Sequence, residues 1–318
     1  MIIAITGATG FIGNELVLKH LELGNSVRVL TRKTRNLLNI PEEVQLFNVD
    51  LSGDCELLSD FVKDVDVLYH CAAEIRDESK MYHVNVKGTQ NLVDAASGII
   101  KHWVQLSSTG VYGNPENVVL NEATPTHPKN IYEVTKLQSD ELVIKAGKDN
   151  KFTYTILRPS NVFGIGMKNQ SLFQLIKTVD KGLFFFIGKR GSIANYISVE
   201  NVINAMVLCG TMKNARGRIY IISESISMES FIGIICKALN KPLPKIRLPR
   251  FLLKFIALIG SLVPRNPLTL SRIDALSRRL EYSSQCIVQE LNYIHQVSME
   301  EGLTRLVLYY KSVIENAH

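Results

Sequence analysis

The stretch Met1–Gly13, MIIAITGATGFIG, opens the chain with a short apolar run placed directly before three glycines. The run Ile2–Thr6 shows no alternation of polar and apolar residues, which predicts a strand buried on both faces of a sheet. The amphipathic stretch Phe11–Leu23 predicts a helix behind the glycines. The glycines have GxxGxxG spacing and are Gly7, Gly10 and Gly13.

A strand, a glycine turn and a helix in this order predict a site for the pyrophosphate of a dinucleotide. The glycines let the phosphates approach the backbone, and the helix N-terminus offers N–H groups with a partial positive charge. The alternative interpretation is a tight turn between strand and helix that binds no ligand.

Strands and helices continue to alternate along the first half of the chain. This spacing predicts an α/β fold, a Rossmann-type doubly wound parallel sheet with right-handed crossovers and a smaller mixed C-terminal substrate lobe. A helix is predicted from about Ser79 to Ser97. Further strands are predicted at Ser26–Leu30, Val44–Asn48, Asp66–His70, Trp103–Ser107 and Phe152–Leu157.

The second predicted strand runs into TRKTR at Thr31–Arg35. A site for NAD usually carries an acidic residue here to bind the ribose 2′-hydroxyl, whereas a site for NADP carries a cation near the 2′-phosphate. The tip of this strand has no acid, and Arg32, Lys33 and Arg35 follow it. The pattern therefore favours NADP, with Arg32 as the main contact and NAD as the alternative cofactor. A solvated basic loop is the other interpretation.

A tyrosine and a lysine four residues apart, Tyr132 and Lys136, occur in YEVTK and would share one face of a helix. Ser108 precedes them in LSSTGVYG. Because free tyrosine has a pKa of about 10, it is a poor base at neutral pH unless a nearby ammonium favours the phenolate. The three side chains together predict proton-coupled hydride transfer on an alcohol or ketone. A half-buried tyrosine and a solvated lysine are the alternatives, and Ser107 or Thr109 could replace Ser108.

The 318 residues are 46% hydrophobic and 21% charged, an ordinary globular composition. The net charge of +6 and the pI of about 9.0 suggest anionic ligands or a membrane surface. No basic stripe with interleaved aromatic residues occurs, so a nucleic-acid partner is not expected. The five cysteines form no CxxC pair and the histidines no metal-ligand spacing, which indicates a reduced cytoplasmic protein without a metal. No signal peptide is predicted, because the first strand begins at Ile2.

The longest apolar run is Phe251–Val263, which is interrupted by Lys254 and flanked by Arg250 and Arg265. A membrane span needs about 20 apolar residues, so no transmembrane segment is predicted. The favoured interpretation is a lid or interface helix of the C-terminal lobe. The alternative is a helix that lies on an anionic membrane surface.

The composition changes after Asn161, where an apolar run with three phenylalanines and a proline-punctuated basic link follow. We predict a dinucleotide-binding domain at residues 1–165, to which residues 193–223 return. Residues 166–192 and 224–318 are predicted to form the substrate lobe. Ligands of open α/β sheets bind in the crevice at the carboxyl ends of the strands.

These motifs resemble the extended short-chain dehydrogenase/reductases, the NAD-dependent epimerase/dehydratase family. The second half of the chain resembles the family more loosely, and its layout is that of the nucleotide-sugar enzymes. The matching motifs occur in family order and are TGATGFIG from residue 6, VDL from 49, HCAA from 70, NVKGT from 85, LSSTGVYG from 106, YEVTK from 132 and LRPSNVFG from 157.

The resemblance implies roles residue by residue. Sugar epimerases of the family often carry an arginine just before the strand at Asn195, where this chain has Ala194, so Arg190 is assigned to that phosphate instead. The implied catalytic residues are Ser108, Tyr132 and Lys136. The implied cofactor contacts are Gly7, Thr9, Gly10, Phe11, Ile12, Gly13, Arg32, Asp50, Leu51, Cys71, Ala72, Ala73, Tyr132, Lys136 and Pro159. The implied substrate contacts are Ser108, Thr109, Asn161, Arg190 and Arg272.

The resemblance also implies a substrate class, a nucleotide-diphosphate sugar that is reduced at a 4-keto group or epimerised at C4. A hydrophobic alcohol or ketone, as in steroid and dihydroflavonol reductases of the superfamily, is the first alternative. A non-catalytic NADP-binding scaffold is the second. Homodimers are usual in the family, so the resemblance leaves a homodimer open, although no feature of the sequence shows one.

Overall fold

A computed structural model describes residues 1–32, 40–53, 55–115, 118–167, 170–260 and 269–315 of the chain. Lys33 and Arg35 of the predicted basic loop, and the end of the apolar run at Val263, lie outside the described residues.

Seven parallel strands form the central sheet, in the order β3-β2-β1-β4-β5-β7-β11. The order reverses direction between β1 and β4, which is where open α/β sheets bind ligands at their carboxyl ends. The predicted Rossmann-type parallel sheet is therefore confirmed. Its strands are β1 Ile2–Thr6, β2 Ser26–Thr31, β3 Gln45–Asn48, β4 Val67–His70, β5 His102–Leu106, β7 Thr153–Pro159 and β11 Arg218–Ile222.

Three smaller sheets and twelve α-helices complete the described part of the chain. The strands of the small sheets are β6 Val119–Leu120, β8 Asn161–Phe163, β9 Phe186–Ile187, β10 Ile193–Ser198, β12 Glu224–Ser227, β13 Arg247–Leu248 and β14 Glu281–Tyr282. The helices are α1 Phe11–Glu22, α2 Cys55–Val62, α3 Glu78–Met81, α4 Gly88–Ala96, α5 Ile131–Lys148, α6 Ser171–Asp180, α7 Val199–Thr211, α8 Met228–Leu239, α9 Arg250–Gly260, α10 Leu270–Ser277, α11 Gln285–Leu291 and α12 Met299–Glu315.

The central sheet buries both of its faces, which explains why its strands lack polar alternation. Ile3 and Ile5 of β1 point into a core built with α1 and α7, whereas Ala4 between them points into a second core built with α2, α4 and α5. Alternate residues of a strand face opposite sides of a sheet. Both sides are apolar here because helices cover both.

The predicted returning segment, residues 193–223, divides between two sheets. Its last strand, β11, pairs with β7 at the edge of the central sheet. Its first strand, β10, pairs instead with β8 and β12 in a separate three-stranded sheet. Strand length and hydrophobicity do not specify the pairing partner, so the sequence did not predict this sheet.

A further hydrophobic core lies outside the central sheet. Helices α6, α8 and α12 pack there around Ile176, Phe231 and Leu306, together with Phe163 from β8. These residues come mostly from the segments predicted to form the substrate lobe. The exact domain division stays a prediction.

Helix α5 lies so close to β7 that a Cβ atom at Gly147 would stand 2.1 Å from Cδ1 of Tyr154. We expect Gly147→Ala to lower the free energy of unfolding by about 1–3 kcal/mol, because the added methyl group must displace this ring. Gly233→Ala on α8 is the matched control, since its Cβ would meet nothing within 4 Å. Better helix propensity should make that variant more stable by about 0.5–1 kcal/mol. Urea unfolding measures the free energy of unfolding of both variants. Equal changes in the two variants would contradict the close packing at Gly147.

Candidate active site

The glycine turn after β1 is so tightly packed that larger residues do not fit. Gly7 has a φ of +71°, and a Cβ on it would stand 2.6 Å from the backbone nitrogen of Ala72. A Cβ on Gly13 would stand 2.3 Å from the carbonyl oxygen of Gly7. The turn thus brings the start of α1 against the end of β4, the neighbouring strand at the reversal point.

This turn fits the pyrophosphate of a nicotinamide dinucleotide. Helix α1 begins at Phe11, its N-cap Gly10 has no side chain, and its first turn has no acidic residue. A helix N-terminus without an acid attracts phosphate oxygens through its N–H groups and its dipole. When bound, such a cofactor supplies the hydride acceptor or donor of a redox reaction.

The adenosine side of the predicted cofactor site contains a loose ion pair. Arg32 follows β2 directly, is exposed, and places Nη1 3.8 Å from Oδ2 of Asp50. Although burial tends to raise the pKa of Asp50, hydrogen bonds from Ser52 and the charge of Arg32 lower it overall. Asp50 is therefore ionised, and it faces the cation that the sequence analysis assigns to NADP. Leu51, the next residue, is buried beside Gly88.

Small residues form the end of β4, as the sequence analysis expected for a strand that lies along the cofactor. Cys71, Ala72 and Ala73 are all partly exposed there. The preceding His70 is buried between the hydroxyls of Thr6 and Thr89, at 2.7 and 3.0 Å. Burial lowers the pKa of His70 to about 3, so it is neutral and has a structural role.

Helix α5 positions the tyrosine and the lysine. Its N-cap Asn130 accepts a hydrogen bond from the backbone N–H of Glu133 at 2.9 Å, and the Glu133 carboxylate accepts one from the N–H of Lys129 at 2.6 Å. Reciprocal capping of this kind fixes where a helix begins. Tyr132 therefore lies in the first turn, half-buried, and Lys136 lies one turn further, buried.

Ser108 and Tyr132 line the same cavity, and the Ser108 side chain is close enough to lower the pKa of Tyr132. Ser108 follows β5 and caps a short 3₁₀ turn, where its oxygen accepts from the N–H of Gly110 at 3.0 Å. Burial raises the pKa of Tyr132 to about 12, although the nearby Ser108 side chain opposes this shift in part. The phenol is thus protonated at neutral pH in the cofactor-free protein.

The expectation that Lys136 favours the phenolate is not met in the protein by itself. The Lys136 ammonium donates to the carbonyl oxygen of Leu106 at 2.7 Å. Burial lowers the pKa of Lys136, while the charge of Asp140, one turn further along α5, opposes that shift. Burial is the largest influence on the pKa of Tyr132, and Lys136 is not among the groups that shift it, so the tyrosine is set up first as a proton donor.

A buried polar network anchors this arrangement. Oδ2 of Asp140 accepts hydrogen bonds from Ser107 Oγ at 2.7 Å and from Arg158 Nη2 at 3.1 Å. Nη1 of Arg158 donates to the hydroxyl of Tyr112 at 2.9 Å. The Ser107 hydroxyl is hydrogen-bonded within this network, so Ser108 is the serine whose hydroxyl can contact a substrate.

A cavity of about 300 Å³ opens beside Ser108 and Tyr132. Of the predicted substrate contacts, Ser108, Thr109 and Asn161 line it, whereas Arg190 and Arg272 are not among its described lining residues. Arg190 and Arg272 are both exposed.

The cavity also has lining residues that the sequence analysis missed. Arg278 is the one Lys or Arg among its described lining residues, and Tyr282 of β14 interacts there with Thr109. No spacing signal in the sequence distinguishes Arg278 from its neighbours Arg272 and Arg279. The predicted contact Pro159 is buried at the end of β7, next to Ser160 of the cavity wall.

Residues 3–223 match the model of the NAD dependent epimerase/dehydratase family, and the chain belongs to this family. It is therefore an NAD(P)-dependent enzyme of the short-chain dehydrogenase/reductase type that uses a nicotinamide cofactor.

Similar proteins include hydroxysteroid dehydrogenases and sugar epimerases. The 3beta-hydroxysteroid-dehydrogenase/decarboxylase isoform 2 of Arabidopsis thaliana is 28% identical over 83% of the chain, which spans about half (51%) of that relative. The UDP-glucose 4-epimerase of Vibrio cholerae is 27% identical, with 94% of the chain and 92% of the relative covered. The crystal structure of the UDP-glucuronic acid 4-epimerase of Bacillus cereus in complex with NAD has a TM-score of 0.76 at 23% identity, covering 98% and 99% of the two chains. That similarity concerns the fold.

The buried ion pair predicts a large effect on stability. We expect Asp140→Asn to lower the free energy of unfolding by about 3–5 kcal/mol, because Arg158 would be left buried without a counter-charge. Glu22→Gln removes the exposed pair with Lys19 and should cost less than about 1 kcal/mol. Chemical unfolding at neutral pH compares the two, and a loss below that of the control would contradict the network.

Proposed function

We propose that the enzyme transfers a hydride between its nicotinamide cofactor and a carbinol or carbonyl carbon, while Tyr132 exchanges the proton with the substrate oxygen. The observation that carries this proposal is that Ser108 and Tyr132 lie together at the wall of one cavity, with Lys136 buried one turn behind Tyr132. When a hydride adds to a carbonyl carbon, negative charge develops on the carbonyl oxygen. A proton donor and a hydroxyl that orients this oxygen, placed side by side, stabilise that charge.

Each of the three side chains has a distinct role in reduction. The Ser108 hydroxyl holds the substrate oxygen, and the Tyr132 phenol donates its proton to that oxygen. The Lys136 ammonium then stabilises the phenolate that forms. In the oxidation direction, the same groups act in reverse order, which requires that the phenol first lose its proton.

We propose a sugar carried on a nucleoside diphosphate as the substrate. Asn161 and Arg278 line the same cavity as Ser108 and Tyr132, so one ligand can meet a cation and the catalytic pair together. The match to UDP-glucose 4-epimerase, which covers nearly all of both chains, supports this class. A 4-keto-sugar reductase and a 4-epimerase are both consistent with the pair.

For the cofactor we propose NADP, with NAD as the alternative. Arg32 follows β2 with no acidic residue at the strand end, and its guanidinium is exposed toward the adenosine side. A single exposed arginine in this position suits a 2′-phosphate.

A hydrophobic alcohol or ketone is the second candidate substrate. Much of the cavity wall is apolar, and the match to a hydroxysteroid dehydrogenase supports this candidate. The apolar lining residues are Leu175, Ile193, Ala194, Met228, Phe231, Ala275 and Leu276.

The catalytic role of the phenol is tested by Tyr132→Phe. This variant keeps the ring but has no proton to donate, so we expect kcat to fall about 10²–10⁴-fold. The dissociation constant of the nicotinamide cofactor, measured by fluorescence, should change little. Tyr309→Phe on α12 is the matched control and should keep full activity. A Tyr132→Phe variant with the wild-type kcat would leave the non-catalytic scaffold as the better account.

The substrate class is tested by Arg278→Ala with a panel of UDP-, GDP- and dTDP-linked 4-keto sugars. Loss of a charged hydrogen-bond donor is worth about 1.5–3 kcal/mol, so KM should rise about 10–100-fold. Arg305→Ala on α12, an exposed arginine that is not among the described lining residues, is the control and should leave KM unchanged. If no sugar nucleotide binds while a hydroxysteroid does, the second candidate replaces the first.

A further inference from the structure

Helix α9 exposes an apolar face to solvent. Phe251, Phe255 and Leu258 follow one another at helical spacing, and the exposed fractions of the two phenylalanines are 77% and 62%. Leu252 and Ile256 widen the same face and are also exposed. Solvent-exposed phenylalanines clustered on one helix indicate a surface that contacts another protein, a membrane or a ligand.

The other side of α9 is anchored in the protein. Leu253 and Ala257 are buried in a small hydrophobic cluster with Ile187 and Ile273. Arg250 and Lys254 lie at the border of the apolar face and pair with Asp274 at 2.8 and 3.1 Å. The helix is therefore held in place with its apolar face outward.

Positively charged residues are concentrated in the part of the sequence that contains α9. Between Ser230 and Ile273 the chain has eight Lys or Arg residues and no Asp or Glu. The whole chain has 36 Lys or Arg residues and 30 Asp or Glu residues. Outside this segment it therefore has 28 Lys or Arg residues and 30 Asp or Glu residues. The excess of cations over acids in the sequence thus comes from the segment that contains α9. Five of its eight cations pair with acids from outside the segment, and these are Lys237, Lys241, Arg247, Arg250 and Lys254.

Exposed cations also lie beside the start of the helix. A Cβ on Gly188 would be 3.8 Å from Cβ of Arg250, and the exposed Lys189 and Arg190 follow Gly188 directly. Lys245 is exposed on the link that leads into α9. An apolar helix face bordered by cations is typical of helices that lie in the interface of an anionic bilayer.

We propose that α9 docks the enzyme on the surface of a membrane that contains anionic lipids, with Phe251 and Phe255 inserted among the acyl chains near the headgroups. A second copy of the chain is a poorer occupant, because two such cationic segments would repel each other face to face. The contact is peripheral: across the described ranges, no helix is suited to span a bilayer. Since α9 packs against α10, which lines the cavity, docking holds the active site close to the lipid surface.

The experiment is co-sedimentation of the full chain with vesicles at about 0.1 M salt, where charges at a distance are screened. One set contains equal parts of phosphatidylglycerol and phosphatidylcholine, and the other contains phosphatidylcholine alone. We expect binding to the anionic vesicles to exceed binding to the neutral ones by about tenfold or more, since both charge and apolar area contribute.

The test variant carries Phe251→Gln and Phe255→Gln together, and its partition to anionic vesicles should fall about tenfold or more. The matched control carries Ile294→Gln and Leu308→Gln, which are 75% and 53% exposed elsewhere on the surface. It should bind vesicles within about twofold of the wild type. Both variants should keep the wild-type thermal midpoint and their activity on a water-soluble substrate, so the outcome is independent of the proposed function.

The proposal is overturned if the wild type does not sediment with anionic vesicles, or if the Phe251→Gln, Phe255→Gln variant sediments as well as the wild type. Sedimentation velocity at several protein concentrations tests whether a second copy of the chain covers this face instead. Self-association that the phenylalanine substitutions abolish, without vesicle binding by the wild type, would assign the face to a second copy and would overturn the lipid assignment.

Discussion

The buried ion pair between Asp140 and Arg158 joins the three elements on which the active site is built. Asp140 lies on α5, one turn beyond Lys136, and Arg158 lies near the end of β7. Ser107, at the end of β5, donates to the same carboxylate oxygen. All three side chains are buried, and removing one partner leaves a charge in a medium of low polarity. The neighbours of this network, Ser108 and Lys136, take their positions from it.

The glycine turn imposes a second constraint at the other end of the crevice. The backbones at Gly7, Gly13 and Ala72 approach so closely that only glycine fits at the first two positions. This packing holds the N-terminus of α1 beside the end of β4. The glycine turn follows β1, and Ser108 follows β5, two strands away in the same sheet. The proposed cofactor site and the proposed catalytic residues thus lie along one edge of the sheet, which would supply the proximity that hydride transfer needs.

The sequence predicted the features that local chemistry requires. The parallel sheet follows from apolar strands without alternation, and Ser108 and Tyr132, predicted from their motifs, do lie together at one cavity. Features that depend on long-range contacts were not predictable. Asp140 and Arg158 resemble ordinary charges in the sequence, and Arg278 reaches the cavity through a turn with no periodic signal. The rise in the pKa of Tyr132 to about 12 was not predictable either, because burial depends on the whole fold.

The enzyme is proposed to catalyse hydride transfer on a sugar nucleotide, and isotope transfer tests this most directly. NADPH and NADH, each dideuterated at C4 of the nicotinamide, are incubated in parallel with the enzyme and a panel of UDP-, GDP- and dTDP-linked 4-keto sugars. Mass spectrometry of the products should find one deuterium on the sugar carbon that bears the new hydroxyl, with more transfer from NADPH. If no reduced sugar carries deuterium from either cofactor, and the enzyme also fails to interconvert the C4 epimers of UDP-, GDP- and dTDP-linked sugars, the proposal is contradicted.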